Sequence, residues 1–348
     1  MEFNLKMEEI TLNLKDYGYM GEQEGTIARI TSVHRERFGI AGDFGEGYAR
    51  LKAGEYYAGE EIFPTAGDFV RIDYIENGDS RILATLPRKT VFTRRDPGPV
   101  PKEQAVAANF DYVFILQSLN HNFNPKRLER YLTLSWQSGA TPVILLTKAD
   151  LTDDYWDYLT EVERVALGVN THVISARTGQ GLARLNAYLQ PGKTVVFLGS
   201  SGVGKSSLVN ALAGKEVMAV SEIREYDSRG RHTTTHRQLL LLPTGAMVID
   251  TPGMRELGMW DAGEGIADAF ADVEKFLGKC RFSDCKHEKE PGCAIRAAIE
   301  AGELDFHRWE SYQKLKEETV DKAEMLRRKN EWHKGIAKFT RQRNKEIW

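Results

Sequence analysis

Gly199-Ser200-Ser201-Gly202-Val203-Gly204-Lys205-Ser206-Ser207 decides the reading of this chain. It follows an apolar run, Thr194-Val195-Val196-Phe197-Leu198, and precedes a stretch that opens as a helix, the context a phosphate-binding loop requires. The glycines let the backbone wrap a phosphate and aim several N–H groups at it. The new helix adds the positive end of its dipole. Lys205 is expected to reach the β and γ phosphates of a nucleotide, and the Ser206 hydroxyl to ligate Mg²⁺.

Upstream, Thr147-Lys148-Ala149-Asp150 closes another apolar run, Thr141–Leu146. A carboxylate at Asp150 can accept two hydrogen bonds from the N1–H and N2–H₂ edge of guanine, a donor pair that adenine lacks. Ser175-Ala176 follows the next strand at the spacing expected of a backbone N–H that meets guanine O6. Each loop falls at the carboxyl end of a strand, where open α/β sheets bind ligands. Thr147 stands where such loops usually carry Asn, and the departure is expected to loosen the support of the loop.

Downstream, Asp250-Thr251-Pro252-Gly253 closes the strand Ala246–Ile249. Asp250 is expected to hold Mg²⁺ through water and the Gly253 N–H to meet the γ-phosphate. Between the two loops, Arg229-Gly230-Arg231-His232-Thr233-Thr234-Thr235 is polar and rich in hydroxyls, as a first switch segment should be. One of Thr233, Thr234 and Thr235 should complete the metal shell, with Thr234 favoured. Met254 occupies the position where many GTPases carry a water-orienting glutamine, so unassisted hydrolysis should be slow, and His232 is the candidate substitute. The assigned catalytic set is therefore His232, Thr234 and Lys205.

These motifs are complete but rotated. The guanine loop precedes the phosphate loop, whereas most GTPases carry it last. Strands Tyr112–Gln117, Thr141–Leu146, His172–Ser175, Thr194–Leu198, Leu239–Leu242 and Ala246–Ile249 alternate with helices over Pro125–Ser138, Tyr155–Gly168 and Leu182–Leu189. Continuous apolar strands interleaved with helices imply a mainly parallel sheet covered on both faces.

Before this region, from about Gly25 to Thr90, five short alternating runs punctuated by glycine suggest a small barrel, with an OB-fold as its leading form. Such barrels commonly bind nucleic acid, although a purely structural barrel stays open. Arg94 to Pro101 is proline-rich and reads as a linker. The expected domains are 1–93, 94–260 and 261–348.

Cys280-x4-Cys285-x-His287-x5-Cys293 offers three thiolates and one imidazole, a set that closes a tetrahedral zinc shell. With four protein ligands no coordination position stays open, so a structural zinc is expected; His307 is a rival to His287. Only three cysteines occur in the chain, and an odd number in a protein that reads as cytosolic argues for metal rather than disulfides.

At 348 residues, 41% apolar and 28% charged, the chain reads as globular. No run approaches the roughly 18 apolar residues of a membrane span. The start lacks the features of a secretory signal, and a cytoplasmic location is expected. A net charge of −3 hides eight basic residues between Leu326 and Trp348, interleaved with Trp332, His333, Phe339 and Trp348. That block is either a solvated face or a nucleic-acid contact.

The rotated motif order together with the Cys-x4-Cys-x-His-x5-Cys cluster resembles one family, the ribosome small subunit-dependent GTPases known as RsgA (YjeQ). The resemblance covers nearly the whole chain. It implies an N-terminal OB-type β-barrel, a central circularly permuted α/β P-loop GTPase domain and a C-terminal, mostly α-helical zinc-binding domain. It further implies GTP/GDP, Mg²⁺ and one Zn²⁺, and a late-acting assembly factor that hydrolyses GTP faster on the small ribosomal subunit. Its barrel and zinc domain would contact rRNA, and the chain is expected to be monomeric.

Overall fold

Apolar and polar residues alternate along the first strands, and a computed structural model shows how they close. The structure describes residues 12–22, 24–34, 37–51, 62–95, 103–218, 237–250 and 263–317. Strands β1 (Thr26–Val33), β2 (Phe38–Gly42), β3 (Gly45–Leu51), β4 (Phe69–Asp73) and β5 (Asp79–Thr85) follow in order. They pair as β1-β2-β3-β5-β4, and β4 returns to β1. All pairs are antiparallel except β3 with β5. This closed five-stranded arrangement is the OB-type barrel. Its interior holds Ala28, Ile30, Phe38, Ile40, Ala49, Val70, Ile72 and Ile82.

Where the reading expected a linker from Arg94, the chain forms a two-stranded ribbon. Strand β6 (Val91–Arg95) runs antiparallel to β7 (Glu103–Ala108), with Arg94 opposite Gln104. Phe92 is buried and stacks on Phe110, 4.8 Å between ring centroids, which supplies the apolar anchor. Residues 96–102, the rest of the expected linker, lie outside the described residues.

Strands β8 (Tyr112–Ser118), β9 (Thr141–Thr147), β10 (Thr171–Val173), β11 (Thr194–Gly199), β12 (Arg237–Leu241) and β13 (Met247–Asp250) form the second sheet, in the order β10-β9-β8-β11-β13-β12. The first five of these strands are mutually parallel, and β12 alone runs antiparallel, to β13. Helices α1 (Pro125–Gln137), α2 (Trp156–Val165) and α3 (Lys205–Ala213) connect them. The segment expected as a helix over Leu182–Leu189 is a 3-10 turn over Leu182–Ala187. Phe114, Leu116, Val143, Leu145, Val195, Phe197, Leu208 and Val248 make the core.

Barrel and sheet are hydrogen-bonded into one eleven-stranded surface, because β1 also pairs with β12, Ser32 opposite Gln238 and Val33 opposite Arg237. Strand β1 departs from simple alternation, with Ile27, Ala28, Arg29 and Ile30 all buried. Arg29 is 1% exposed. Its guanidinium donates to the Tyr17 carbonyl, to Gly67 O at 3.3 Å and to Asn109 O at 2.8 Å, and lies 3.5 Å from Met247 Sδ. Gly67 is required here, since its φ is +89° and a Cβ would stand 2.1 Å from Ala108 O.

Packing divides the chain into two units, Met1–Leu128 with Ser138–Leu257, and Glu129–Gln137 with Gly258–Trp348. The second contains α4 (Gly263–Ala269), α5 (Ala271–Glu274), α6 (Ala294–Glu300) and a helix α7 over 306–317. Ile266, Phe270, Val273, Ile295, Trp309 and Tyr312 form its core. Buried Arg308 of α7 joins three elements. It bonds Glu129 Oε1 at 2.9 Å and both oxygens of Asp272 at 3.0 Å, and lies over the Phe270 ring.

Burial lowers the Arg29 pKa to about 10, so the group is still charged at neutral pH with only neutral acceptors as direct partners. Replacing it leaves the Tyr17 and Asn109 carbonyls without this donor. Arg29→Met should therefore destabilise the chain by about 2 kcal/mol or more in urea denaturation. A change within about 0.5 kcal/mol would show the joint to be indifferent to this group.

Candidate functional site: a nucleotide pocket and a metal cluster

Parallel pairing sets the site. Ser118 of β8 lies opposite Thr147 of β9, and Leu116 lies opposite Gly199 of β11. Leu146 of β9 lies opposite Val173 of β10, and Val196 of β11 lies opposite Ile249 of β13. The loops that follow β9, β10, β11 and β13 therefore leave the sheet at one edge, although their order in the chain is rotated.

The phosphate loop leaves β11 at Gly199 and enters α3 at Lys205. Two glycines are needed by geometry. A Cβ at Gly199 would meet Val203 Cγ1 at 2.9 Å, and Gly204, the residue capping α3, has φ +102°. Val203 is buried in the core below and anchors the loop. Lys205 Nζ lies 2.9 Å from Asp250 Oδ1, at the end of β13. The two groups are thus already in one place. Ser206 and Ser207 lie in the first turn of α3.

The guanine loop is built from two strands. Lys148 takes a left-handed backbone, φ 62°, and Ala149–Leu151 form a 3-10 turn. The Ala149 N–H donates to Ile174 O at 3.1 Å, joining this loop to the one after β10. Ser175 Oγ then donates to Asp150 Oδ1 at 2.5 Å and accepts from Thr178 N at 3.2 Å, while Arg177 stands 3.9 Å from Asp150 Oδ2. Burial lowers the Lys148 pKa, opposed by the Asp150 charge.

Thr147 was expected to loosen this loop, and the structure shows a different role. It is buried, and its hydroxyl donates to Val203 O of the phosphate loop at 2.6 Å. A threonine reaches because the two strands are held one apart, with β8 between them. The link is invisible in the sequence, where the residues are distant. Arg177 was also overlooked, and its position beside Ser175-Ala176 was the available signal.

Cys280, Cys285, His287 and Cys293 place one ligand atom each within 4.8 Å of one another. His287 Nδ1 is 3.4 Å from the sulfurs of Cys280 and Cys293. A tetrahedral zinc shell has ligand-to-ligand edges of about 3.5–3.8 Å, so these residues fit a metal ion. Backbone N–H groups also point at the sulfurs, Ala294 N to Cys280 at 3.3 Å and Arg296 N to Cys293 at 3.5 Å, as suits thiolates. His287 is presented by its left-handed backbone, φ 64°, and its ring packs edge-on to Trp309 at 5.3 Å. The loop beneath it is organised by Glu290, whose carboxylate accepts from the N–H groups of Lys286, Glu288 and Lys289. Its own backbone N–H first, and then these three, hold its pKa down at about 2. The rival ligand His307 lies 3.9 Å from Glu310 instead and is not among the clustered residues.

With this geometry in place, comparison with known proteins is specific. The family model described as RsgA GTPase matches residues 85–260. "Small ribosomal subunit biogenesis GTPase RsgA 1" of Listeria innocua is 46% identical over 313 residues, covering 88% of this chain and 89% of that protein. The chain belongs to the RsgA family. A second RsgA, from Vibrio parahaemolyticus, is 41% identical and covers 95% of this chain and 88% of its own length. The crystal structure of YjeQ from Thermotoga maritima matches with a TM-score of 0.64 at 28% identity, over 84% of this chain and 98% of that one. YloQ, described as a circularly permuted GTPase, matches with a TM-score of 0.59 at 24% identity, over 86% of this chain and 96% of that one, a likeness of fold.

As an RsgA-family member the chain is a GTP hydrolase with a circularly permuted GTPase domain. Of the residues assigned from sequence, the structure brings together Thr147, Lys148, Ala149, Asp150, Ser175 and Ala176 in the guanine loops. Gly199 to Ser207 and Asp250 form the phosphate side. His232, Thr234, Gly253 and Met254 lie outside the described residues. No helix of the described residues is long and apolar enough to cross a membrane.

Metal analysis checks the cluster. The purified chain should carry about one tightly bound divalent ion, Cys285→Ser should lose it, and His307→Ala should keep it. Retention by Cys285→Ser would contradict the assignment.

Proposed function

We propose that the chain binds the small ribosomal subunit late in its maturation and hydrolyses GTP there, slowly when free and faster on the subunit. The supporting observation is three contacts at the carboxyl ends of neighbouring strands, Thr147 with Val203, Ser175 with Asp150 and Lys205 with Asp250. The relatives matched above carry names that specify small-subunit biogenesis.

In this reading Asp150 accepts from guanine N1–H and N2–H₂, and the Ala176 N–H donates to guanine O6. Lys148 flanks the base. The N–H groups from Ser200 to Ser207 surround the phosphates, with Lys205 on the β and γ oxygens and the Gly253 N–H on the γ-phosphate. Ser206, Asp250 and Thr234 hold Mg²⁺, which when bound neutralises charge on the phosphate oxygens. Met254 cannot orient water, so the free protein turns over at roughly 10⁻⁴ s⁻¹ or less, and His232 orients the attacking water on the subunit.

Zinc fits the cluster best, because three thiolates and one imidazole close a four-coordinate shell. Its role is to staple the helical unit. Barrel and zinc domain contact rRNA, with the basic block from Leu326 onward adding charge. The working division is 1–93, 94–260 and 261–348, in a cytoplasmic monomer.

GTP turnover measured with and without purified small subunits tests the reading. It should rise by at least about ten-fold with subunits, and log K of binding should fall steeply with log salt if phosphates are the contact. His232→Ala should abolish the stimulated part and leave GTP binding intact. Equal turnover with and without subunits would overturn the proposal.

A further inference from the structure

Beside the phosphate loop runs a segment that none of the nucleotide motifs includes, Leu119 to Asn124, between β8 and α1. It is tied to the guanine side by Leu119 N, which donates to Thr147 O at 2.9 Å. Asn120 Oδ1 accepts from Ser118 Oγ at 2.8 Å and Asn122 N at 3.0 Å, and Asn124 caps α1 by accepting from Arg127 N at 3.0 Å. Asn122 is thereby held against the phosphate loop. Its Nδ2 donates to Ser200 Oγ at 3.0 Å and reaches Ser201 O at 3.5 Å.

The orientation of this amide is not arbitrary. A guanidinium can only donate, and Arg127 Nη2 bonds both the Asn122 carbonyl and Asn122 Oδ1, the latter at 3.1 Å. Oδ1 must therefore face Arg127, which leaves Nδ2 for Ser200 and Ser201. Arg127 is in turn held by Gln117 Oε1 at 3.4 Å. Gln117 is fully buried, and its Nε2 and Arg127 Nε are buried donors without a hydrogen-bond partner. An unpaired buried donor is costly, so packing alone would favour apolar residues here.

We infer that Asn122, oriented by Arg127, is a positioning residue for the phosphate loop, fixing the Ser200–Gly202 peptides that receive the nucleotide phosphates. The peptide after Ser201 is trans, so its N–H points opposite to its C=O. Tethering Ser201 O to Asn122 turns the Gly202 N–H to the other side of the loop. Held this way, the amide does not have to be oriented again each time a nucleotide binds, and the cost of ordering the loop is removed from binding.

The consequence is a separation of affinity from rate. Asn122→Ala should weaken binding of both fluorescent GDP and GTP by about ten-fold, through faster dissociation. Single-turnover hydrolysis at saturating GTP should stay within about two-fold, and the melting temperature without nucleotide should not change. Asn122→Asp has the same shape and keeps the acceptor for Arg127, but turns an acceptor toward Ser201 O. It should weaken binding more than alanine does, and it serves alone if the alanine variant does not fold. Wild-type affinity in either variant would overturn the inference. So would a loss of affinity matched by a fall in nucleotide-free melting temperature, which would mark a structural role only.

Discussion

A single buried hydrogen bond, from the Thr147 hydroxyl to the Val203 carbonyl, fastens the loop after β9 to the loop after β11. It can form because β9 and β11 flank β8 in parallel, with Thr147 and Gly199 each at a strand end. Parallel pairing makes the site independent of chain order. Whatever sequence the connections follow, loops leaving the carboxyl ends of adjacent strands meet at the same edge. Rotation of the motifs therefore preserves the pocket while changing what lies at either end of the domain.

The change has a structural result in the barrel. In this chain β12 is the edge of the parallel sheet, and an unpaired edge invites association. Pairing with β1 covers its Arg237–Gln238 end, and Arg29 seals the joint by gathering carbonyls from three separate segments and lying against Met247 of β13. Since β13 carries Asp250, the barrel is packed directly against the strand that ends in the proposed nucleotide site. A barrel fastened in this way is part of the same packed unit as the GTPase sheet, not a module on a string.

How much could be read from the residues differs by feature. The tight turn from β11 into α3 was legible because steric limits at Gly199 and Gly204 leave glycine as the residue that fits. The gathering of Cys280, Cys285, His287 and Cys293 was legible from residue type and spacing. Strand positions followed from alternation and continuous apolar runs. The β6–β7 ribbon was missed because a proline-rich stretch hid two short strands whose stability comes from each other and from Phe92 on Phe110. Thr147 was misjudged, and Asn122 passed over, for a common reason. Each acts through a partner more than fifty residues away, and no local pattern encodes such a contact. His287 was separable from His307 only once Glu290 and Trp309 were seen to hold its loop and ring.

The proposed site depends on Asp150 reading the guanine edge, and a change of base tests that most directly. Xanthine carries an oxygen where guanine carries its 2-amino group, so an amide at position 150 should accept it and reject guanine. For Asp150→Asn, affinity for GTP should fall by about two orders of magnitude or more, while xanthosine triphosphate should become the preferred nucleotide. Unchanged GTP affinity, with no gain for the xanthine nucleotide, would place the base somewhere else.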